Sequence, residues 1–277
     1  MLRAPVVFAL LAALSQEVRP FLRLVGGQRL PGIPLAAWEF ACRAGRGVVV
    51  LSGLGGDAAA RAAAWLLEQC RPQVLVSFGF GGAVTPGLAP GDLVLGEACW
   101  RYEPGQGTLR ELLAPSPPWA LHSLLDRLRA VGLPAFRGSV VTSPAIISKA
   151  AQGGPLLGLS HPVLDLETGA AALAAWDKGL PFLALRAVTD PASEEIPDFI
   201  AQAVRKRNEL TAVDALAWLA ADPRRLPALV RLWRRSRLAS RRLARALGVV
   251  LNECRGEGGK RGDLPVLLPG KDMIRPD

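Results

Sequence analysis

Short apolar runs that end in glycine-rich turns restrict the fold of this sequence more than any other feature. One run, residues 47–52, reads GVVVLS and passes through Gly53-Leu-Gly-Gly56 into an alanine-rich segment that begins at Asp57. A second run, residues 73–78, reads QVLVSF and ends in Gly79-Phe-Gly-Gly82. Continuous apolar runs are typical of parallel strands buried on both faces, and strands that alternate with helices predict a parallel sheet covered on both sides. We expect Asp57 to be the N-cap of the first of these helices.

The remainder of the chain continues this alternation. Further strands are predicted at residues 92–98, 135–142, 163–166 and 182–189, and helices at residues 119–131, 167–178 and, interrupted at Asp222-Pro223, 208–247. We therefore predict an α/β fold with three layers, in which a mostly parallel, mixed central sheet is flanked by helices and followed by a C-terminal helical extension. The predicted divisions are a main domain at 1–220, a basic helical extension at 221–250 and a flexible tail at 251–277.

The apolar run from Val6 to Leu14 has two interpretations. It follows a single arginine at the N-terminus and precedes Ser15, an acceptable cleavage site, which is typical of a signal peptide. It is also too short to span a bilayer, and a buried parallel strand has the same pattern. Periodicity alone leaves both interpretations open.

Positive charge is concentrated in one segment near the C-terminus. The chain of 277 residues has 33 basic and 24 acidic residues, a formal net charge of +9. The segment Arg224–Arg245 contains nine arginines and no acidic residue, so the rest of the chain is neutral overall. Helical spacing of its leucines predicts a basic amphipathic helix, which could dock on the protein body with a solvated arginine face or contact anionic lipid. Nucleic-acid binding is not expected, because the sequence contains no known recognition module and few aromatic residues lie beside the arginines.

The cysteines and histidines argue against a metal centre. Four cysteines and two histidines occur without any C-x-x-C motif or cysteine–histidine cluster, so we expect no metal. Unpaired, scattered cysteines are typical of a reducing compartment, which favours a cytoplasmic location.

Three charged residues at strand ends are the first candidates for chemistry, because ligands bind at the carboxyl ends of parallel strands. Asp190 ends an apolar strand, Glu167 lies between a strand and a helix, and Arg186 lies inside an apolar strand. Structural interpretations exist for each: an Asx turn for Asp190, a helix-dipole contact for Glu167 and a buried anionic partner for Arg186. The turn at Gly53 does not complete a dinucleotide fingerprint, since Ala58 replaces its third glycine.

Five motifs occur in the chain in this order: Gly53-Leu-Gly-Gly56, Ser77-Phe-Gly-Phe-Gly-Gly82, Pro90-Gly-Asp-Leu-Val-Leu95, Val163-Leu-Asp-Leu-Glu-Thr168 and Pro181-Phe-Leu-Ala-Leu-Arg-Ala-Val-Thr-Asp190. In order and spacing, the sequence from about Val6 to Ala220 resembles the purine nucleoside phosphorylase/nucleosidase superfamily. The body is most similar to methylthioadenosine/S-adenosylhomocysteine nucleosidases. The extension, with Leu226-Pro-Ala-Leu-Val-Arg-Leu232 and the basic helix after it, is similar to the hopanoid-associated phosphorylases, which are thought to remove adenine from adenosylhopane.

The resemblance implies a role for each candidate. Asp190 would deliver or share a proton at purine N7, Glu167 would bind the ribose hydroxyls, and Glu17 would activate the attacking water. Arg186 would pair with Glu17 or face the nucleophile. A Glu17 needed just after the first strand also favours the strand interpretation of the N-terminal run. The remaining implied substrate-binding residues are Leu166 near the sugar, Ile146, Ile147 and Phe80 around the base, and Gly79, Ser77 and Thr189.

Two departures from the family pattern bear on the nucleophile. Ser77 stands where the phosphorylases have a phosphate-binding arginine, and Phe80 stands where the nucleosidases have a serine. A phosphate dianion needs fixed cationic or backbone donors, so the loss of that arginine favours water over phosphate. Phe80 indicates a bulkier or more apolar substrate contact, or a repacked turn.

The resemblance implies cleavage of the N-glycosidic bond of an adenosine-type nucleoside, with adenosylhopane as the favoured substrate. The alternatives are methylthioadenosine/S-adenosylhomocysteine or futalosine-type hydrolysis in nucleoside salvage, and a non-catalytic membrane- or nucleic-acid-binding protein on the same fold. No cofactor is expected, and phosphate is an alternative co-substrate. The expected partners are a small nucleoside that carries a lipid tail, further copies of the chain in a homo-oligomer, and a membrane surface contacted through Arg224–Arg245.

Overall fold

The computed structural model describes residues 6–112, 120–206, 218 and 221–253, so most of the predicted tail at 251–277 lies outside the described residues. The strands are β1 (Val6–Ala12), β2 (Gln28–Arg29), β3 (Ala36–Cys42), β4 (Gly45–Leu51), β5 (Val74–Ala83), β6 (Leu93–Glu103), β7 (Thr108–Leu112), β8 (Ala135–Thr142), β9 (Val163–Asp165) and β10 (Phe182–Asp190). The helices are α1 (Ser15–Val25), α2 (Gly56–Cys70), α3 (Leu121–Ala130), α4 (Lys149–Gln152), α5 (Thr168–Asp177), α6 (Asp198–Lys206) and α7 (Leu226–Glu253).

The strands form one mixed sheet, as predicted, but the sheet partly closes on itself. β10 pairs with β5 in parallel and with β6 in antiparallel orientation. β6 pairs with β8 and β8 with β9 in parallel, and β9 returns to β5 in antiparallel orientation. These five strands therefore form a closed ring, and β1, β4, β3 and β2 extend from β5 as an open sheet. Closure depends on pairings between strands distant in sequence, which the apolar pattern alone does not reveal.

Helices cover the two faces of the sheet and complete the three layers. Residues of α1, α3 and α7 pack on one face, and residues of α2 and α5 pack on the other. The N-terminal apolar run forms β1, whose seven residues are all buried between β4 and β5. The strand interpretation of this run is thereby confirmed.

The glycine-rich segments differ from their predicted conformations. β5 continues through Gly79–Gly82 to Ala83, so this segment is strand rather than turn. The N-cap of α2 is Gly55, with a φ of 95°, and Asp57 lies in the first helical turn, so the predicted Asp57 N-cap is wrong. Gly55 takes this position because its backbone adopts a left-handed φ that other residues avoid. Strands β3 and β7 were not predicted, because their half-exposed residues form no continuous apolar run.

The basic helix α7 docks on the protein body. Ala239, Leu243, Leu247 and Val250 are completely buried in the same core as β1 and β5. The docked interpretation is thus confirmed for the C-terminal part of α7, and this part of the extension belongs to the main fold. No helix in the described ranges is long and apolar enough to cross a bilayer.

Candidate active site

Glu17 is a buried acid held in place by backbone amides. It lies in the first turn of α1, where its Oε2 accepts hydrogen bonds from the amides of Ala13 (3.0 Å) and Leu14 (2.7 Å). Its Oε1 accepts from the amide of Phe80 on β5 at 2.8 Å. Burial raises the pKa of Glu17, while these amides and the nearby Arg186 oppose the rise. A raised pKa brings a carboxylate closer to the range in which it acts as a general base at neutral pH.

The strand β5 leaves room for this carboxylate through a glycine. A Cβ atom on Gly79 would lie 2.7 Å from Oε1 of Glu17, which is closer than real Cβ contacts. The glycine-rich end of β5 therefore provides clearance beside an acid, rather than a tight turn.

Asp190 ends β10 and is 6% exposed. Its Oδ1 accepts a hydrogen bond from the hydroxyl of Thr189 at 2.9 Å, and its Oδ2 accepts from Nζ of Lys149 at 2.8 Å. Because both oxygens are bound by side chains, the structure does not support the Asx-turn interpretation of Asp190. Lys149 was not predicted, since its burial depends on a partner 41 residues away.

Glu167 turns away from the helix that it precedes. It takes the N-cap position of α5, but its side chain makes no capping hydrogen bond there. Instead its Oε1 accepts from the amide of Gly55 at 2.7 Å, across 112 residues of sequence. Burial, and secondarily the charge of Asp165, raise the pKa of Glu167 to about 8. The simple helix-dipole interpretation of Glu167 is thus not supported.

Arg186 is held by a buried polar network centred on Asp165. Its Nε donates to Oδ2 of Asp165 at 2.8 Å, and one terminal nitrogen donates to the hydroxyls of Ser77 (2.7 Å) and Thr168. Arg186 and Asp165 are both nearly inaccessible to solvent. The expected anionic partner exists, but it is Asp165, so the alternative in which Arg186 pairs with Glu17 is not observed. Asp165 was part of a family motif in the sequence, yet nothing there indicated its pairing with Arg186.

The candidate residues surround two adjacent cavities. The larger, about 150 Å³, is bounded at different points by Glu17, Glu167 and Asp190. The smaller, about 10 Å³, lies beside Glu17 and Arg186. The structure therefore brings every predicted site residue to one place. Leu166, Phe80, Ile146, Ile147 and Thr189 also line the larger cavity, and Ser77, Gly79, Phe80 and Glu167 the smaller.

An open cleft adjoins the larger cavity. It has a volume of about 850 Å³ and shares the lining residues Leu54, Ser143, Ile146 and Leu166 with that cavity. It continues along the exposed side of α5, past Leu173. Within the described part of the chain, no group of three or more histidine, cysteine or acidic side chains is arranged to hold a metal ion.

The comparisons with known proteins agree with this fold. The model of the phosphorylase superfamily matches residues 7–217. Among solved structures, the 5'-methylthioadenosine/S-adenosylhomocysteine nucleosidase of Campylobacter jejuni is 18% identical with a TM-score of 0.67, and the match covers 90% of this chain and 99% of that one. The corresponding nucleosidase of Neisseria meningitidis, in complex with methylthio-immucillin-A, is 17% identical with a TM-score of 0.66, over 90% and 99% of the two chains. A futalosine hydrolase mutant of Helicobacter pylori is 14% identical with a TM-score of 0.64, over 90% and 100%.

Proposed function

Because the chain belongs to the phosphorylase superfamily and is an enzyme of glycosyl-bond cleavage, we propose that it hydrolyses the N-glycosidic bond of an adenosine-type nucleoside and releases adenine. The observation that carries this proposal is the arrangement of acids around the larger cavity, with Glu17, Glu167 and Asp190 all on its lining. Cleavage of such a bond develops positive charge on the sugar and negative charge on the base. Carboxylates near the sugar stabilise the positive charge, and an acid near the base stabilises the negative charge.

Each acid has a distinct task in this mechanism. Asp190, at the end of β10 and beside Ile147, protonates the purine at N7 as the bond breaks. Glu167 accepts hydrogen bonds from the ribose hydroxyls, which strengthen as the sugar becomes cationic. Glu17 removes a proton from the water that attacks the sugar carbon, and its three amide donors fix its direction.

The smaller cavity supports water as the nucleophile. Its volume of about 10 Å³ beside Glu17 is close to the minimum that holds one water molecule and is much smaller than a phosphate ion. Ser77 and Arg186 line this cavity, but Arg186 donates to Asp165, Ser77, Thr168 and the carbonyl of Leu185. Since most of its donors are engaged within the protein, Arg186 is poorly placed to bind a phosphate dianion. Phosphorolysis is therefore the less favoured reaction.

The substrate that we favour is a nucleoside with a large apolar 5' substituent, of which adenosylhopane is the example that the sequence resemblance suggests. The open cleft beside the larger cavity supports this choice, because Leu54 and Leu166 line both spaces and could contact a tail that leaves the sugar. Methylthioadenosine, S-adenosylhomocysteine and futalosine are the alternative substrates, and they need only part of this cleft.

The N-terminal part of α7 supports contact with a membrane that contains anionic lipid. Leu226, Val230 and Trp233 are exposed at positions that share one face of the helix. Arg234 lies beside Trp233 and forms no ion pair with another described residue, so its charge is available to lipid phosphates. We also propose a location in the cytoplasm with peripheral membrane contact, and the free cysteines Cys42, Cys70 and Cys99 support the cytoplasmic part of this proposal.

Vesicle binding tests the membrane contact. We expect the chain to sediment with phosphatidylglycerol vesicles more than with phosphatidylcholine vesicles, and Trp233→Ser with Leu226→Ser to reduce that binding. Leu157→Ser is the matched control, because Leu157 is a well exposed leucine on another part of the surface. Equal binding of the double variant and the control would contradict the proposal. Deletion of α7 is unsuitable, because its C-terminal part belongs to the core.

We also propose a homo-oligomer in which α5 faces a second copy. Leu173 and Trp176 of α5 are 38% and 47% exposed, and Leu173 borders the open cleft, which a second copy would then partly enclose. Light scattering of the wild type and of Trp176→Glu tests this arrangement: a wild type that is monomeric, or an assembly that the substitution leaves unchanged, contradicts it.

Product analysis tests the catalytic proposal. The chain is incubated in phosphate buffer with methylthioadenosine, S-adenosylhomocysteine, futalosine or adenosylhopane, and mass spectrometry distinguishes the free sugar from its 1-phosphate. We expect a free sugar together with the free base, which is adenine for the adenosine derivatives and hypoxanthine for futalosine, and almost no release by Asp190→Asn. A sugar phosphate would establish phosphorolysis instead. If no substrate releases its base, the alternative of a non-catalytic binding protein gains support.

A further inference from the structure

Lys149 is a buried lysine whose three ammonium hydrogens all have acceptors. It begins α4 and is 8% exposed. Its Nζ donates to Oδ2 of Asp190 at 2.8 Å, to the carbonyl of Pro191 at 2.8 Å and to the carbonyl of Ala83 at 3.1 Å. Lysine has three N–H donors, so none remains for a substrate.

Burial of an ammonium group is costly unless a counter-charge and hydrogen bonds compensate for it. Here the counter-charge is Asp190, the residue assigned to the base. The other acids that face Lys149 are Glu194, whose own partner is Arg235, and Glu195, which accepts hydrogen bonds from the amides of Lys149 and Ala150. The ammonium thus lies among acids, but only Asp190 is in direct contact with it through the side chain.

An acid that protonates a purine must itself hold a proton when the bond breaks. The carboxylate of Asp190 has two neighbours that carry hydrogen, the Thr189 hydroxyl on Oδ1 and the Lys149 ammonium on Oδ2. An alcohol is a very weak acid, so the ammonium is the better source. We propose that Lys149 is a positioning residue that acts through Asp190 by supplying the proton which Asp190 passes to the purine. This inference rests on the proposed function and identifies the origin of its proton.

The proton transfers balance over one turnover. When the base enters and displaces water, a proton moves from Nζ of Lys149 to Oδ2 of Asp190, which leaves a neutral amine and a neutral carboxyl. The carboxyl then protonates N7 while the C1'–N9 bond breaks and its electron pair passes to the base. Water adds to C1' and gives a proton to Glu17. After release of adenine and the sugar, Glu17 loses this proton to solvent and Lys149 regains one.

A purely structural role for Lys149 would have different consequences. Lys149 also connects α4, which follows the pocket residues Ile146 and Ile147, to the ends of β5 and β10. If this connection were its whole contribution, any substitution that loosens α4 would act in the same way as loss of the ammonium. Glu195→Ala supplies that comparison, because Glu195 accepts the amide hydrogens at the start of α4 without contacting Asp190.

Two substitutions and two leaving groups test the proposal in the full chain. Lys149→Arg keeps a positive charge at Asp190, but a guanidinium does not release its proton. We expect Lys149→Met and Lys149→Arg to lower kcat for adenine release by about 100-fold or more, the usual contribution of acid catalysis. Both should lose far less of the rate on a 4-nitrophenyl riboside, because its leaving group needs no proton. Glu195→Ala should change KM more than kcat.

The outcomes separate this inference from the proposed function. Wild-type protein that releases no adenine contradicts the function itself. Wild-type release together with a near-normal kcat in Lys149→Arg overturns the inference alone, because charge without a mobile proton would then be sufficient. Equal losses on adenine and nitrophenyl substrates by Lys149→Met also overturn it. If Lys149→Arg does not fold, as judged by thermal unfolding, the leaving-group comparison in Lys149→Met decides.

Discussion

A Cβ atom on Gly82 would lie 2.5 Å from Oδ2 of Asp190, the same oxygen that accepts from Lys149. Gly82 and Asp190 are partners in the parallel pairing of β5 and β10, so neither backbone can move without disturbing the five-stranded ring. The glycine therefore determines where the acid and its lysine partner can lie.

Gly82→Ala should lower kcat for adenine release by about 100-fold, because displacement of a reacting group by about 1 Å has effects of that size. Steady-state kinetics measures the change. Gly248→Ala in α7 is the control, since its Cβ would meet only Leu24 at 3.7 Å. It should keep wild-type kinetics and gain about 0.5–1 kcal/mol in stability as a helical alanine. Wild-type kcat in Gly82→Ala would show that the carboxylate tolerates displacement.

Glu167→Gln should remove a pH-dependent loss of stability. The pKa of Glu167 is about 8 in the folded protein, against 4.5 as the ordinary value. The folded state thus binds the proton of Glu167 more tightly than the unfolded state does. The stability that this proton contributes is fully present below the pKa of the unfolded state, 4.5, and is lost as pH rises through about 8. Thermal unfolding between about pH 5 and pH 9 measures the effect. As pH rises, the stability of the variant relative to that of the wild type should increase. Glu68→Gln, on an exposed position of α2, should leave the wild-type profile in place.

The polar network around Arg186 should be essential for stability. Arg186→Met leaves Asp165 as an uncompensated buried charge and should reduce the free energy of unfolding by about 3–5 kcal/mol, measured by urea denaturation. Adding Asp165→Asn should restore part of this loss, because the remaining group is neutral. A single variant as stable as the wild type would indicate that solvent reaches the carboxylate.

The two parts of α7 should respond differently to truncation of a leucine. Leu243→Ala removes a fully buried side chain and should cost about 2–5 kcal/mol. Leu226→Ala, at a position 50% exposed, should change stability by less than about 0.5 kcal/mol. Chemical denaturation of both variants checks this division, and a large cost at Leu226 would mean that the N-terminal part of the helix is also docked.

The sequence predicts those strands whose apolar pattern matches their burial in the folded protein. The strand predicted at residues 182–189 coincides with β10 except for its last residue, because it is a largely apolar run whose residues are all buried. β3 escaped prediction because it lies near the sheet edge and its burial follows no simple period. The closure of the ring could not be predicted from the sequence either, because β10 pairs with β6, which lies about 90 residues earlier in the chain.

The site shows the same contrast. Glu167 and Asp190 could be predicted as site residues, because they are acids at the ends of apolar strands, where ligands bind in a parallel sheet. The role proposed for Glu17 came only from resemblance, because an acid in the first turn of a helix is common. Lys149 had no signal at all, because a lysine in a polar loop is ordinarily exposed and only the folded chain places its ammonium against Asp190.

The closed ring gives the two sides of the site different mobility. Arg186 lies where β10 pairs with both β5 and β6, and Asp190 pairs with Gly82 of β5 at the end of the same strand, so the ring holds the backbone of both residues. Ile146 and Ile147 lie instead in the loop between β8 and α4, before the anchored Lys149. In the proposed reaction, displacement of this loop would be enough to admit the substrate and release the base. The entrance of the site is then adjustable, while the groups to which we assign the chemistry remain fixed in place.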